Sequence, residues 1–195
     1  MICEQWFPTP IWCGNLDNID NAQYNAAIQF CLDLKKGSTG RPMSNVGGWQ
    51  SNSFLYNDIK KTPLSIFFNV IDPYANQVFL ELGITSAHMI DSIWVNINKK
   101  NDYNELHDHP ISSISGVFYL TQKNSEIIFS RDLGVPRHHL AWMRSNTNTP
   151  LSYNTVAYTP KRGSFFLFPS WLDHCVEPSR SDEERISVAF NYSYP

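Results

Sequence analysis

Six short segments of β-forming residues after about residue 89 limit the folds that this chain can adopt. They are rich in β-branched and aromatic residues, are separated by turn-forming residues, and read DSIWVNIN (91–98), SGVFYLT (115–121), EIIFS (126–130), NTVAY (154–158), GSFFLFP (163–169) and RISVAFNYS (185–193). Many short strands with turns between them are typical of barrels and sandwiches. The second half of the chain is therefore predicted to be a β structure.

Two helices are predicted before these strands. Residues 19–36 place apolar side chains near a 3.6-residue period, and Asp20 precedes them as the N-cap. Residues 62–83 form the second prediction, with Thr62 as its cap. Pro73 lies inside this segment, and we expect it to break or kink the helix because proline lacks an N–H donor.

The order of these segments predicts one domain with a mainly β, α+β fold. A chain of 195 residues is within the size of one domain. Helices followed by many strands favour a barrel or sandwich braced by helices. We therefore expect residues 1–88 to be helical support and residues 89–195 to be the β core.

The last strand alternates between polar and apolar residues. Its odd positions are Arg185, Ser187, Ala189, Asn191 and Ser193, and its even positions are Ile186, Val188, Phe190 and Tyr192. A period of two places the two sets on opposite faces of the sheet. The polar face either contacts solvent or lines an interior pocket. The pocket is favoured by the absence of a Lys or Glu ladder, and the helices would then cover the aliphatic face.

Charge and cysteine content exclude several functional classes. A net charge of −3 gives no electrostatic basis for binding nucleic acid or membranes. The four cysteines lack the spacing of a zinc motif, so we expect reduced thiols. No secretory signal or membrane-spanning segment is predicted, which makes the cytoplasm the expected location.

The segment LHDHP provides the first candidate ligands. In an extended chain His107 and His109 share a face and Asp108 points away, so the two histidines form the natural ligand pair. A third ligand must come from elsewhere, and His174, between a strand and a turn, is the most notable candidate. His138 lies in a polar stretch that is predicted to be a loop. Two ligands from one strand and a third from a distant strand are typical of non-haem Fe(II) oxygenases.

At this point the sequence resembles the 2-oxoglutarate- and Fe(II)-dependent oxygenases. The resemblance is carried by His107-Asp108-His109, SGVFYL, GSFFLFPSWLDH and ERISVAFN, in that order, and by the earlier SNVGGWQSN and WFPTPIW. The most similar group has a first motif that reads H-x-H-P, followed by S-G-V-x-Y. The resemblance spans about residues 6–192 and implies a double-stranded β-helix, a cupin-like jelly roll, with supporting N-terminal helices.

The resemblance also implies roles for individual residues. His107 would be the first metal ligand and His174 the distal one, while Arg185 would pair with the C5 carboxylate of 2-oxoglutarate. Ser187 would add a hydroxyl group to that carboxylate. Further polar contacts to the cofactor or substrate are assigned to Asn96, Tyr119 and Asn191.

One position departs from the usual oxygenase motif, H-x-D or H-x-E, because its third residue is His109. Three interpretations follow. His109 is a true third ligand; or a bulge rotates Asp108 into the site; or the protein supplies only His107 and His174.

The implied function is a dioxygenase that uses Fe(II), 2-oxoglutarate and O2 to hydroxylate an unknown substrate. The alternatives are a cupin-like metal- or ligand-binding module without oxygenase activity and a three-histidine dioxygenase that needs no oxo acid. The loop at about residues 131–153 is a candidate lid or substrate loop, in which Arg137, His138 and Trp142 would contact the substrate. Trp94 and Trp171 are candidate walls of the site.

Overall fold

The computed structural model describes residues 2–3, 8–121, 125–131 and 153–193. Within these ranges the helices are α1 (Asn21–Lys36), α2 (Tyr56–Ile59) and α3 (Ser65–Glu81). The strands are β1 (Trp12–Asn15), β2 (Asn45–Val46), β3 (Trp49–Gln50), β4 (Met89–Asn98), β5 (Tyr103–His107), β6 (Ile114–Tyr119), β7 (Ile127–Ser130), β8 (Thr155–Tyr158), β9 (Ser164–Pro169), β10 (His174–Val176) and β11 (Arg185–Ser193).

The strands of the described ranges form two antiparallel sheets. The larger sheet has the order β1-β9-β6-β11-β4-β3, and the smaller has the order β2-β5-β10-β7-β8. Neighbouring strands are often far apart in sequence, as when β11 pairs with both β4 and β6. This is the predicted double-stranded β-helix, and the mainly β fold class is confirmed. Three short strands that precede residue 89 also belong to the sheets.

The helices cover one face of the larger sheet. The even residues of β11, such as Val188 and Phe190, are buried with Phe67 and Phe68 of α3. Phe67 stacks on Phe118 of β6 with ring centroids 5.1 Å apart. Each such buried side chain contributes roughly 1.5–3 kcal/mol of hydrophobic free energy. The aliphatic face is thus the helix-covered one, and the polar residues of β11 face the space between the sheets.

Helix α1 forms where the sequence predicts it. The Asp20 side chain accepts a hydrogen bond from the Gln23 backbone N–H at 2.8 Å, and the Gln23 side chain accepts one from the Asp20 N–H at 3.0 Å. This reciprocal capping box satisfies two backbone donors that a helix start otherwise leaves unpaired.

Helix α3 corrects the second prediction. It continues through Pro73 without a break. It also begins after Leu64 and not after Thr62, although the Thr62 hydroxyl accepts a hydrogen bond from the Leu64 N–H at 3.2 Å. Tertiary packing explains the continuation, because Phe67, Phe68 and Ile71 before the proline and Ala75 and Val78 after it are all buried. In the described part of the chain, no helix is long and apolar enough to cross a membrane.

Candidate metal centre

Three histidines converge between the two sheets. His107, His109 and His174 each offer a ring nitrogen, and these atoms lie within 4.8 Å of one another. The ring centroids are 5.1 Å apart for His107 and His109, 4.3 Å for His107 and His174, and 5.2 Å for His109 and His174. Three imidazole nitrogens at such separations can bind one divalent metal ion.

Backbone pairing holds each histidine in place. His107 ends β5 directly opposite His174, the first residue of β10. His109 lies beyond the strand, and its backbone N–H donates to the Ser170 carbonyl at 2.8 Å. Asp108 between them is exposed and does not belong to the ligand cluster among the described residues. The chain thus brings His107 and His109, but not Asp108, into the histidine cluster.

Hydrogen bonds set the tautomers of two of these imidazoles. His107 Nδ1 lies 2.7 Å from the Glu105 carbonyl, and His174 Nδ1 lies 2.9 Å from the Leu172 carbonyl. A carbonyl oxygen only accepts, so each Nδ1 carries the proton and each Nε2 keeps its lone pair. The Ser44 hydroxyl lies 3.4 Å from His107 Nε2.

Burial keeps the three imidazoles neutral at neutral pH. Desolvation lowers the pKa of His107, lowers that of His109 to about 4 and lowers that of His174 to about 3. The neighbouring His107 lowers the last two further, because two imidazolium charges repel each other. A metal binds neutral imidazole, so no proton has to leave before coordination.

A buried arginine lies in the same cavity, which has a volume of about 430 Å³. Arg185 is 2% exposed and donates from Nη1 to the Ser125 hydroxyl at 2.8 Å and from Nη2 to the Asn104 side-chain oxygen at 3.2 Å. Burial lowers the pKa of its guanidinium. No carboxylate of the described residues lies within 4.0 Å of it, and its Nε has no partner there. The negative charge of Asp102 favours the charged guanidinium only from beyond ion-pair distance. A buried cation without a directly paired carboxylate is costly, so the cavity suits an anionic ligand.

A bulge in β5 brings Asn104 to this arginine. His107 pairs with His174, but Asn104 pairs with Val176, so three steps along β5 match two steps along β10. Regular alternation would place residues 104 and 107 on opposite faces. The extra residue turns both side chains inward. Asn104 also donates to the Ser44 hydroxyl at 3.3 Å.

The predicted polar residues of the larger sheet line this cavity. Ser187 pairs with Asn96 on one side and with Tyr119 on the other, close to Arg185 along the chain. Asn191 lies six residues beyond Arg185, about 20 Å along a strand. Its amide donates to Ser92 and accepts from Ser115, at 3.2 and 2.8 Å. The cavity thus has an arginine end and an Asn191 end.

The remaining predicted residues differ in their placement. Trp94 lines the cavity, with its ring 5.5 Å from that of His109, whereas Trp171 is 56% exposed. Arg137, His138 and Trp142 lie outside the described residues, so their role stays a prediction. The lining residues that sequence reasoning missed include Arg41, Ser44, Gln50 and Asn104. No local signal in the sequence indicated the bulge in β5 or the short strands β2 and β3.

Comparison with known protein families identifies the family of this chain. The sequence profile of the family described as "Putative 2OG-Fe(II) oxygenase" matches residues 92–191, which is just over half of the chain. The chain belongs to this family. Its members use Fe(II), 2-oxoglutarate and O2. A sequence search of curated proteins gives no match.

Solved structures share the fold of this 2-oxoglutarate/Fe(II) oxygenase family member. A prolyl-4-hydroxylase from Pseudomonas putida has a TM-score of 0.68 and 12% identity, covering 96% of this chain and 94% of its own. The viral collagen prolyl hydroxylase of Paramecium Bursaria Chlorella virus-1, solved with 2-oxoglutarate, has a TM-score of 0.62 and 13% identity. The match covers 95% of this chain and 96% of the hydroxylase. HygX from Streptomyces hygroscopicus, solved with nickel and 2-oxoglutarate, has a TM-score of 0.65 and 12% identity. The match covers 95% of this chain and 83% of HygX.

The residues of this chain fit the cofactors of the family. Three neutral imidazoles suit Fe(II), although they would replace the two histidines and one carboxylate that are common in such sites. The Arg185 guanidinium, which forms no ion pair with a carboxylate of the described residues, suits a carboxylate ligand, since its donors form a planar fork that matches two carboxylate oxygens.

Proposed function

We propose that this protein is a dioxygenase that couples oxidative decarboxylation of 2-oxoglutarate to hydroxylation of a substrate. In this reaction one oxygen atom of O2 enters the new hydroxyl group and the other enters succinate, with release of CO2. The observation that carries the proposal is the presence, in one cavity, of a three-histidine cluster and a buried arginine without a carboxylate partner.

We assign His107, His109 and His174 to the metal and Arg185 to the C5 carboxylate of 2-oxoglutarate. Ser187 adds a hydroxyl donor beside Arg185, and further polar contacts come from Asn96, Tyr119 and Asn191. Asp108, the alternative carboxylate ligand, is exposed, which supports the three-histidine assignment. Bound together, Fe(II) and 2-oxoglutarate supply the oxidising chemistry that the side chains of this protein lack.

The protein contributes orientation and exclusion of water. The Glu105 and Leu172 carbonyls hold the His107 and His174 rings in the tautomer that leaves Nε2 free for coordination. Ser125 and Asn104 hold the Arg185 guanidinium in one orientation before any ligand binds. Phe168 and Tyr119 are buried cavity walls that keep water from the reacting groups.

Two other functions make different use of the same residues. A cupin-like binding module would need no oxo acid, and neither would a three-histidine dioxygenase. The second is favoured by the ligand set itself, whereas the buried Arg185, which forms no ion pair with a carboxylate of the described residues, counts against both. Cytoplasmic location, a single domain and a lid at residues 131–153 stay predictions from the sequence.

Anaerobic titration tests the proposal. Adding Fe(II) and then 2-oxoglutarate should produce a weak visible charge-transfer band, and admitting air should produce succinate. Arg185→Lys should raise the half-saturating 2-oxoglutarate concentration at least about tenfold, because an ammonium is not a fork of donors. Arg180→Gln, at an exposed residue, is the matched control and should change nothing. Absence of both band and succinate in the iron-loaded protein would reject the proposal.

A further inference from the structure

One wall of the metal cavity has polar groups that the metal and the oxo acid cannot fully satisfy. This wall consists of Arg41, Gln50 and Asn96, which all line the cavity. Gln50 of β3 pairs with Asn96 of β4, and the Arg41 backbone N–H donates to the Gln50 carbonyl at 2.9 Å. The three residues are therefore neighbours across a short stretch of sheet.

The backbone before Arg41 is closely packed. Gly40 has φ of +73°, which favours glycine, and a Cβ atom there would lie 2.6 Å from the Gln50 carbonyl oxygen. The Trp49 indole N–H donates to the Ser38 carbonyl at 3.0 Å, which closes the same segment onto β3. Arg41 thus extends from an anchored backbone, so ligand binding orders its side chain but does not have to order the backbone as well.

The charge of Arg41 is not neutralised within the described residues. Its guanidinium donates to the Met43 sulfur at 3.2 Å, and no carboxylate of the described ranges lies within 4.0 Å of it. A thioether is a weak acceptor and leaves most of the donors free. A charged guanidinium on a cavity wall, with most of its donors free, suits a carboxylate ligand.

The side-chain oxygen of Asn96 requires a hydrogen-bond donor, in contrast to Arg41, which requires an acceptor. Asn96 is 8% exposed, and its side-chain oxygen has no hydrogen-bond partner among the described residues. An unpaired buried acceptor costs roughly 1–3 kcal/mol. The dianion of 2-oxoglutarate has only acceptor oxygens, so it can bind the amide NH2 of Asn96 but cannot satisfy the oxygen. A second ligand with an N–H donor can.

We propose that Arg41, Gln50 and Asn96 form a substrate subsite for an α-amino acid unit that has a free carboxylate. The carboxylate pairs with Arg41, and the N–H on the adjacent carbon donates to the Asn96 oxygen. Gln50, which has both a donor and an acceptor, lies between them. This inference rests on the proposed function, because it names the substrate class of that same site.

Two sources have this chemistry, namely a free amino acid and the C-terminal residue of a peptide. The cavity also contains the exposed carboxylates Glu105 and Asp108, which would favour the ammonium group of a free amino acid. An acylated nitrogen has one N–H donor, which is enough for Asn96. Experiments can separate the two sources by comparing each amino acid with its N-acetylated form.

Calorimetric titration of the zinc-loaded protein with 2-oxoglutarate present tests the subsite without requiring turnover. The probes are the twenty common amino acids as free acids, as the matching primary amides with a free amino group, as N-acetyl acids and as N-acetyl amides. At least one residue type should bind as an acid, and its amide should bind at least about tenfold more weakly because it lacks the carboxylate. Binding of the free acid alone identifies an amino acid substrate, and binding of the N-acetyl acid identifies a peptide C-terminus.

Variants of Arg41 then separate recognition from a structural role. Arg41→Gln should reduce the acid-to-amide affinity ratio to about one, and Arg41→Lys should restore part of it. The control Arg180→Gln should keep the ratio of the unaltered protein. A loss of folding would lower both affinities and would not equalise them.

Two results would overturn the inference: no acid binds, or amides bind as well as acids. Either result leaves the proposed function intact if succinate still forms in air without added substrate. Failure of the proposed function gives a different result, in which neither the charge-transfer band nor succinate appears, whatever the amino acids do.

Discussion

At the scale of single residues, the unusual feature of the site is an imidazole where related oxygenases commonly have a carboxylate. A carboxylate ligand would reduce the formal charge of an Fe(II) site from +2 to +1, whereas His109 as the ligand would leave it at +2. The higher positive charge favours anionic ligands at the metal. The burial that lowers the pKa of His109 to about 4 keeps this ligand neutral at neutral pH.

Replacement of His109 tests the assignment. His109→Ala should weaken Fe(II) or Zn(II) binding by at least about 100-fold, since loss of a direct ligand exceeds the 10- to 100-fold effect of removing its supporting partners. His109→Asp should retain more affinity than His109→Ala, because a carboxylate also coordinates. Equilibrium dialysis against a metal chelator measures these values.

Asp108→Ala is the control for this series. Its side chain is exposed and outside the histidine cluster, so metal affinity should stay the same. If Asp108→Ala abolished binding and His109→Ala retained it, the site would instead have two histidines and a carboxylate.

At the scale of elements, α3 shows how packing outweighs a local preference. Pro73 is exposed and provides no N–H for the carbonyl four residues earlier, that of Asn69. Burial of apolar residues on both sides of Pro73 offsets that cost. The solvent side of α3 consequently lacks one hydrogen bond of the helix, the one to the Asn69 carbonyl.

Pro73→Ala should therefore stabilise the protein. Alanine restores the missing hydrogen bond and removes the ring clash, and the gain should be up to about 3 kcal/mol in the free energy of unfolding. Urea denaturation followed by circular dichroism measures it. Asn69→Ala alters helix propensity alone at a nearby exposed position and should change stability by less than about 1 kcal/mol. A destabilised Pro73→Ala protein would contradict this explanation.

At the scale of the whole molecule, the Asp72 carboxylate joins the helical layer to the β-helix. It accepts hydrogen bonds from Tyr192 of β11, at 2.7 Å, and from Tyr56 of α2. Burial and the Asp72 charge raise the pKa of Tyr192 above its usual value near 10. A neutral phenol is thus favoured in the folded state. This contribution to stability is fully present below pH 10 and is lost as the pH rises above it, because only the unfolded state then releases the proton easily.

Tyr192→Phe should change the alkaline stability of the protein. At pH 7 the variant should lose about 1 kcal/mol with the hydrogen bond. Above pH 10 its unfolding free energy should fall less steeply than that of the unaltered protein, by up to about 1.4 kcal/mol per pH unit. Urea titrations at pH 8 to 11 measure both effects. Tyr153→Phe, at a 47% exposed residue, is the control, and parallel pH profiles for the two variants would contradict the prediction.

The sequence was sufficient for several features that depend on local periodicity. Apolar spacing and Asp20 placed α1, and the strand patterns placed β4, β6, β7, β8, β9 and β11. The alternation in β11 separated the side chains of the helix-covered face from those of the cavity. The same period of two predicted that His107 and His109, and not Asp108, enter the histidine cluster.

Only the tertiary structure decided the features that depend on contacts distant in sequence. Strands β2, β3 and β10 are two or three residues long, too short for a periodic signal, and they form because a neighbouring strand offers hydrogen bonds. Asn104 faces Arg185 only because β5 has one residue more than β10 in their pairing. Arg41 reaches the cavity through a contact with β3. The chemistry of the ligands is local, whereas the assembly of the pocket depends on which strands meet.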